Sequence, residues 1–130
     1  MASTEFDNVK YLASALILAA ATTASAQTPK QDYQSCDLKS QQTLQAEVGG
    51  NIKDPLQAHV SRRGNVLQAD IGNARKARHV TQREADALWQ RVEKVRTEAD
   101  GLVVSQGFLS AAERASYDRE LDDVASVICR

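Results

Sequence analysis

Aromatic side chains are scarce in this chain, which has two phenylalanines, one tryptophan and three tyrosines among 130 residues. No stretch alternates apolar and polar residues over enough positions to form a convincing β-strand. Alanine, glutamine, arginine, glutamate and leucine, which favour helices, are plentiful instead. The composition therefore predicts an all-α fold with a thin core, and the length corresponds to one domain.

Cysteine and histidine are equally rare, and their positions exclude the usual sites built from them. Cys36 and Cys129 lack the C-x-x-C spacing of redox and metal sites. His59 and His79 lie 20 residues apart, so they lack the i, i+4 spacing with which two histidines on one helix bind a metal. Each histidine is predicted to be a solvated or turn residue.

Recognisable catalytic motifs are missing as well, since the chain contains neither G-x-S-x-G nor a phosphate-binding loop. Four acidic residues cluster near the C-terminus without the glycine and alternating ligands of a calcium-binding loop: Asp118, Glu120, Asp122 and Asp123. A weak divalent site at Asp118 and Asp122 is one interpretation, and a solvated acidic face is the other. We expect no enzymatic activity, no metal and no cofactor.

Residues 1–26 have the three parts of a secretory signal peptide, namely Lys10, an apolar run and small residues at 24–26. The apolar run is shorter than the roughly 20 residues that cross a bilayer as a helix. An internal amphipathic helix and a retained membrane anchor are the alternatives. Acidic residues are unusual in the positive region of a leader, so residues 1–6 could belong to an added extension. The mature protein is expected in the periplasm or outside the cell.

Export predicts that Cys36 and Cys129 form a disulfide, because two thiols of a small domain pair readily in an oxidising compartment. A bridge that encloses such a long loop contributes roughly 4–5 kcal/mol to stability in the chain-entropy description. Two free thiols or an intermolecular bridge are the alternatives. Residues 27–35 are predicted to be a flexible tail, and residues 36–130 the helical domain.

An apolar residue, a hydroxyl residue and a glutamate three positions later occur in this order twice, as V-T-Q-R-E at 80–84 and L-S-A-A-E at 109–113. In such a capping box, hydroxyl and carboxylate each accept a free backbone N–H at the start of a helix. Apolar residues at helical spacing follow each box. Helices are therefore predicted to begin after Thr81 and Ser110, and Gly107 to end the first of them in a left-handed turn.

A third helix is predicted to start at Asp54-Pro55, where a capping side chain precedes a proline. Gly64 leaves two possibilities open, a continuous helix over 55–78 or two shorter ones. Residues 37–48 are predicted to form a short helix before a glycine hinge. Short turns between amphipathic helices favour a small antiparallel bundle of three to four helices. Its predicted core consists of Leu56, Val60, Leu67, Ile71, Leu88, Trp89, Val92, Val95, Phe108, Leu109, Leu121, Val124 and Ile128.

The order I71, V80-T81-x-x-E84-A85-x-x-L88 and then G107-F-L-S110-x-x-E113 resembles small exported helical proteins of Gram-negative bacteria with "G-x-L-T-x-x-E" turns. The likeness covers residues 66–128 or so. It departs from the pattern at Arg78-His79, where the usual glycine is missing from the first turn. The resemblance implies an exported helical domain without a known reaction, so it assigns no functional residues.

Charge is unevenly distributed along the chain. Residues 55–80 carry five cations against Asp70, a formal +4, whereas residues 113–123 carry five anions against two cations, a formal −3. The basic residues Arg62, Arg63, Arg75, Lys76 and Arg78 could bind an anion. The alternative is that the basic and acidic helices pack together and neutralise each other.

Three hypotheses of function follow. The first is a non-enzymatic exported protein that binds another protein or an envelope component, and the second is a module whose basic segment 62–78 binds an anionic polymer or lipid surface. The third is a small enzyme or inhibitor whose site forms only in three dimensions. Sequence-specific nucleic-acid binding is not expected, because export removes the usual target and no aromatics accompany the basic residues. We expect a monomer, which in a pathogen would be accessible as an antigen.

Overall fold

A computed structural model describes residues 33–130, so the predicted signal peptide and residues 27–32 of the predicted tail lie outside the described residues. A 3-10 turn at Gln34–Cys36 is followed by four α-helices: α1 at Leu38–Thr43, α2 at Pro55–Lys76, α3 at Gln82–Gln106 and α4 at Ala111–Ile128. Residues 33–130 contain no β-strand. The all-α fold predicted from composition is confirmed. None of the helices in this part of the chain is long and apolar enough to cross a membrane.

Both predicted capping boxes are present. Thr81 Oγ1 accepts the Glu84 N–H at 3.1 Å, and the Glu84 carboxylate accepts the Thr81 N–H at 2.7 Å. Ser110 and Glu113 make the same pair of bonds at 3.1 and 2.8 Å. Because each carboxylate accepts backbone N–H groups, the pKa of Glu84 and of Glu113 is lowered. The repeated motif therefore marks two helix starts and no duplicated site.

The α2 helix begins where the sequence predicts it to begin, behind Asp54 and Pro55. Asp54 Oδ2 accepts the N–H groups of Leu56 and Gln57 at 2.9 and 3.1 Å. Gln57 Oε1 in turn accepts the Asp54 N–H at 3.3 Å, which completes a third capping box. Beyond this start, α2 runs without a break through Gly64 to Lys76. Of the two possibilities, the continuous helix is the one observed.

Gly64 lies at the contact between α2 and α3. A Cβ atom at this position would lie 2.7 Å from Cδ of Arg96 and 3.3 Å from Cγ1 of Val92. Contact with α3 explains why the helix tolerates a glycine whose own helix propensity is poor. Gly64 thus serves packing between the helices and introduces no bend.

The ends of α2 and α3 use the same left-handed geometry with different residues. Gly107 has φ 87° after α3, as predicted, and Arg78 has φ 60° after α2. The N–H of Arg78 bonds to the Arg75 carbonyl at 3.0 Å and that of His79 to the Ala74 carbonyl at 2.9 Å, the two bonds of a Schellman motif. Arg78 therefore occupies the left-handed position that glycine commonly fills at a helix end, at a cost of roughly 1 kcal/mol or more.

Substitution Arg78→Gly is expected to stabilise the protein by about 1 kcal/mol, because glycine adopts a left-handed conformation without the steric cost that arginine has there. The measurement is urea unfolding at equilibrium, where the midpoint should rise without a change in slope. Arg78→Ala is the matched control, since it removes the same charge but keeps a Cβ. Equal midpoints for the glycine and alanine variants would contradict a conformational origin.

The hydrophobic core is formed mainly by α2, α3 and α4, and most of the predicted core residues are buried there. Leu56 is only partly buried at its edge. Trp89 and Phe108 are the errors, since they are 43% and 53% exposed. Trp89 is displaced by about 100° around the helix axis from Leu88, which takes the core position. Phe108 lies in the turn beyond α3, and the next residue, Leu109, is buried in its place.

Cys36 and Cys129 form the predicted disulfide, with Cα atoms 5.7 Å apart, so the interpretations as free thiols or an intermolecular bridge are wrong. The bond joins the 3-10 turn to the residue after α4. Beside it, the N–H and Oγ of Ser35 donate to Asp70 Oδ2 at 2.9 and 2.6 Å. Ser35, predicted to belong to the flexible tail, is therefore hydrogen-bonded to α2, and Tyr33 packs against the core.

Polar contacts between helices show which parts of them meet. Gln57 at the start of α2 bonds to Asp100 late in α3, and Gln68 later in α2 bonds to Glu93 earlier in α3. These contacts pair the beginning of one helix with the end of the next. Ser35, next to Cys36, bonds to Asp70 in the last two turns of α2, so the disulfide and the Cys129 end of α4 lie toward the α2–α3 turn.

Candidate functional site

A cluster of five charged or titratable side chains lies between α2 and α4, and we call it the α2–α4 charge cluster: His59, Arg63, Arg114, Asp118 and Asp122. Three of its members, His59, Arg63 and Asp118, are at least nine-tenths buried. Burying charged groups is costly unless they are paired and hydrogen-bonded. The stability of this cluster therefore depends on the ion pairs and hydrogen bonds among its members.

Arg63 connects the two helices. Its guanidinium donates to Asp118 Oδ1 at 2.8 Å and to Asp122 Oδ1 at 2.7 Å, two carboxylates one turn apart on α4. The side chain of Arg63 is only 3% exposed, so these ion pairs are protected from solvent screening. The alternative that the basic and acidic helices pack together and neutralise each other is confirmed at this residue.

His59 lies one turn before Arg63 on the same face of α2, and it is 3% exposed. Its Nε2 lies 2.7 Å from Asp118 Oδ1, and its Nδ1 lies 2.6 Å from the carbonyl oxygen of Leu44. The prediction that His59 is a solvated or turn residue is wrong, whereas His79 is exposed in the α2–α3 turn as predicted. Because both ring nitrogens of His59 are engaged, this conformation leaves neither of them facing a substrate.

Asp118 is the centre of the cluster. It receives His59 and Arg63 on one oxygen, and Nε of Arg114 lies 2.9 Å from the other. Burial by itself raises the pKa of this carboxyl, but the hydrogen bonds from His59 and Arg63 and their positive charges outweigh it, so the pKa is lowered. Asp118 is thus held as a carboxylate, and the interpretation of the acidic residues as a solvated face is wrong for it.

The divalent site considered for Asp118 and Asp122 has no room for its ion, because Arg63 already occupies an oxygen of each carboxylate. Within residues 33–130, no group of three or more histidine, cysteine, aspartate or glutamate side chains is placed to hold a metal. The contacts of this cluster are those of a structural network between two helices.

The five arginines and lysines predicted to bind anions do not lie together. Arg63 is buried in the charge cluster, and Arg62 is exposed near the middle of α2. Arg75 lies about 20 Å farther along that helix, from a rise of about 1.5 Å per residue. Only Arg75, Lys76 and Arg78 are neighbours, at the end of α2 and in the turn that follows.

Arg83 lies in the first turn of α3, just past the α2–α3 turn, and we call Arg75, Lys76, Arg78 and Arg83 the basic end. None of the four side chains forms an ion pair within residues 33–130, whereas Arg63, Arg91, Lys94, Arg96 and Arg114 all do. A cleft of about 380 Å³ lies beside it, lined partly by Arg75, Arg78 and Thr81. Sequence reasoning missed Arg83, although its position two residues after the capping Thr81 places it at the same end of the bundle.

A cleft of about 680 Å³ lies between α3 and α4 over Val95 and Tyr117. The Arg91–Glu120 ion pair crosses from one helix to the other at 2.8 Å. The lining of this cleft contains three cations, Arg91, Lys94 and Arg119, and three anions, Glu98, Glu120 and Asp123. Since these charges cancel, the cleft has no preference for a charged ligand of either sign.

Comparison of the chain with models of protein families, with curated proteins and with solved structures found no match.

Proposed function

We propose that this protein is a non-catalytic, exported helical module whose basic end binds an anionic component of the cell envelope. The observation that carries the proposal is the concentration of unpaired cations at one turn. Four basic side chains within nine consecutive residues, 75–83, are free of ion pairs in the described structure, whereas Arg63, Arg91 and Arg114 of the bundle are paired with carboxylates. The disulfide is consistent with an oxidising, extracytoplasmic compartment such as the periplasm.

The chemistry of the basic end favours phosphate, sulfate or carboxylate groups. Three of its four cations are arginines, whose planar guanidinium donates two parallel hydrogen bonds to such groups. The nearest carboxylate in sequence, Glu84, is occupied by the capping box of α3 and accepts the Thr81 N–H. The four cations are therefore available to a repeating anion, such as an acidic polysaccharide or an anionic lipid surface.

Removing the charge of the basic end is expected to weaken polyanion binding at least tenfold at low salt. The reason is that each replaced cation removes one electrostatic contact with the polyanion. The variant replaces Arg75, Lys76, Arg78 and Arg83 with glutamine. Binding is measured by titration with heparin and with vesicles containing an anionic phospholipid, each at low and at high salt.

The matched control replaces four exposed cations elsewhere with glutamine: Lys39, Lys53, Arg62 and Arg119. It has the same net charge as the test variant, so it should keep most of the affinity if the basic end is the site. Equal loss in the two variants would indicate net charge alone, and binding that does not change with salt would contradict an electrostatic mechanism.

A further inference from the structure

The chain between the disulfide and α2 is attached to the molecule in an unusual way. We call residues 37–54, which comprise α1 and the following loop, the strap. Of the apolar side chains that form the described core or pack against it, none comes from the strap. The strap is instead held by hydrogen bonds, so its position depends on the groups that make them.

Three of these hydrogen bonds come from the α2–α4 charge cluster. The Leu44 carbonyl oxygen lies 2.6 Å from His59 Nδ1, and Gln42 Nε2 donates to Asp122 Oδ2 at 3.1 Å. Arg114 donates to the carbonyl of Gln42. One titrating group, His59, therefore lies at the junction of the strap, α2 and α4.

The hydrogen bonds of His59 depend on its protonation. A neutral imidazole has one N–H, and only the imidazolium has two. The ring here faces two acceptors, the Leu44 carbonyl and the Asp118 carboxylate, at 2.6 and 2.7 Å. The imidazolium can donate to both. In the neutral tautomer that keeps the bond to Asp118, the Nδ1 lone pair faces the Leu44 oxygen at close range, and the strap loses that bond.

The net charge of the α2–α4 charge cluster depends on the protonation state of His59. On α4 the facing groups are Asp118, Asp122 and Arg114, and Arg63 is the neighbour on α2. The strap presents a backbone carbonyl and the Gln42 amide. On α3, the Asp100 carboxylate accepts a hydrogen bond from Gln57 of α2. Two carboxylates and two guanidiniums balance, so the cluster is neutral with neutral imidazole and +1 with imidazolium.

We propose that His59 is a pH-sensitive latch, which as imidazolium joins the strap to α2 and α4 and on deprotonation releases it. Deprotonation accompanies a rise in pH, so the strap is held at the lower pH and released at the higher pH. The strap residues 42–46 form one wall of a cleft of about 540 Å³, and Pro55, Leu56, His59 and Arg114 form the other. Release of the strap therefore opens this cleft.

The test is amide hydrogen exchange of residues 42–53 in the full oxidised chain, expressed as protection factors at about pH 5.5 and about pH 8. Asp118, whose pKa is lowered despite its burial, remains ionised throughout this interval. We expect protection of the strap to be at least tenfold lower at the higher pH, because a hydrogen bond from a charged donor is lost. Protection in the middle of α3 should stay unchanged.

Two variants separate the histidines. His59→Gln cannot titrate, so its strap should be equally protected at both pH values, whereas His79→Gln, which changes the exposed histidine of the α2–α3 turn, should keep the full pH dependence. Should His59→Gln fail to fold, nitrogen NMR of the unsubstituted protein decides the question. A doubly protonated His59 ring at the lower pH, titrating together with strap protection, supports the latch. A neutral ring at the lower pH, strap protection that ignores pH, or pH dependence that persists in His59→Gln overturns it.

Discussion

Reduction of the Cys36–Cys129 disulfide is expected to lower the free energy of unfolding by about 4–5 kcal/mol, the largest effect of any single change considered for this chain. The bond spans a sequence separation of 93 residues, so it excludes a large share of the open conformations of the unfolded chain. A loss of this size is comparable with the whole stability of a marginal domain, roughly 5 kcal/mol. The reduced protein should therefore be partly unfolded at physiological temperature.

The measurement compares urea unfolding of the oxidised and reduced protein. The double variant Cys36→Ser with Cys129→Ser is the control, because it should unfold like the reduced protein and be insensitive to reductant. The segment most affected is the one that the bond ties down, namely the 3-10 turn and the strap, since the core contains no apolar side chain from residues 37–54. A reduced protein with undiminished stability would show that the remaining contacts suffice to close the loop.

Local signals in the sequence predicted the local parts of this structure. The two capping boxes, the left-handed Gly107 and the start at Pro55 are all determined by residues within a few positions of one another, and all are observed. The turn at Arg78 is instructive because it adopts the left-handed geometry that Gly107 has, without a glycine. Hydrogen bonding in the turn and packing of the helices on either side thus determine the conformation of the α2–α3 turn. They outweigh the steric cost of a left-handed arginine.

The charge cluster was not predicted, although part of its signal is visible in the sequence. Arg63 lies on the apolar line of α2 between Val60 and Leu67, and Asp118 begins the line of α4 that continues with Leu121 and Ile128. Two opposite charges that interrupt lines of buried residues are candidates for a buried pair. The net charges of +4 and −3 are sums over whole segments, so they do not show that Arg63 and Asp118 lie on the apolar lines of their helices.

Other features depend on contacts that no local pattern specifies. The partner of His59 Nδ1 is the backbone carbonyl of Leu44, which any residue at that position would supply. Trp89 is exposed, although the sequence shows only that it borders the apolar line of α3. Such details are determined by tertiary packing, which the local sequence pattern does not specify.

Replacement of Arg63 by leucine is expected to reduce the free energy of unfolding by about 3–5 kcal/mol, because it leaves two carboxylates without their shared partner. The larger share of this loss arises at Asp118, which is 6% exposed and cannot regain hydration without opening the interface between α2 and α4. Arg63→Lys keeps the charge but cannot donate to Asp118 and Asp122 with the planar fork of a guanidinium, so an intermediate loss is expected. Chemical unfolding at neutral pH measures both.

The neighbouring Arg62→Leu provides the matched control. Arg62 is an exposed arginine on the same helix without an ion pair among the described residues, so its replacement should change stability by no more than about 0.5 kcal/mol. Both leucine variants change helix propensity and net charge in the same way. The difference between their free energies of unfolding therefore measures the effect of burying and pairing Arg63. Since the Arg63 pairs are shielded from solvent, that difference should also persist at high salt, whereas a surface ion pair would be screened. Equal losses in the two variants would mean that Asp118 finds sufficient partners in His59 and Arg114, and that Arg63 does not hold α2 and α4 together.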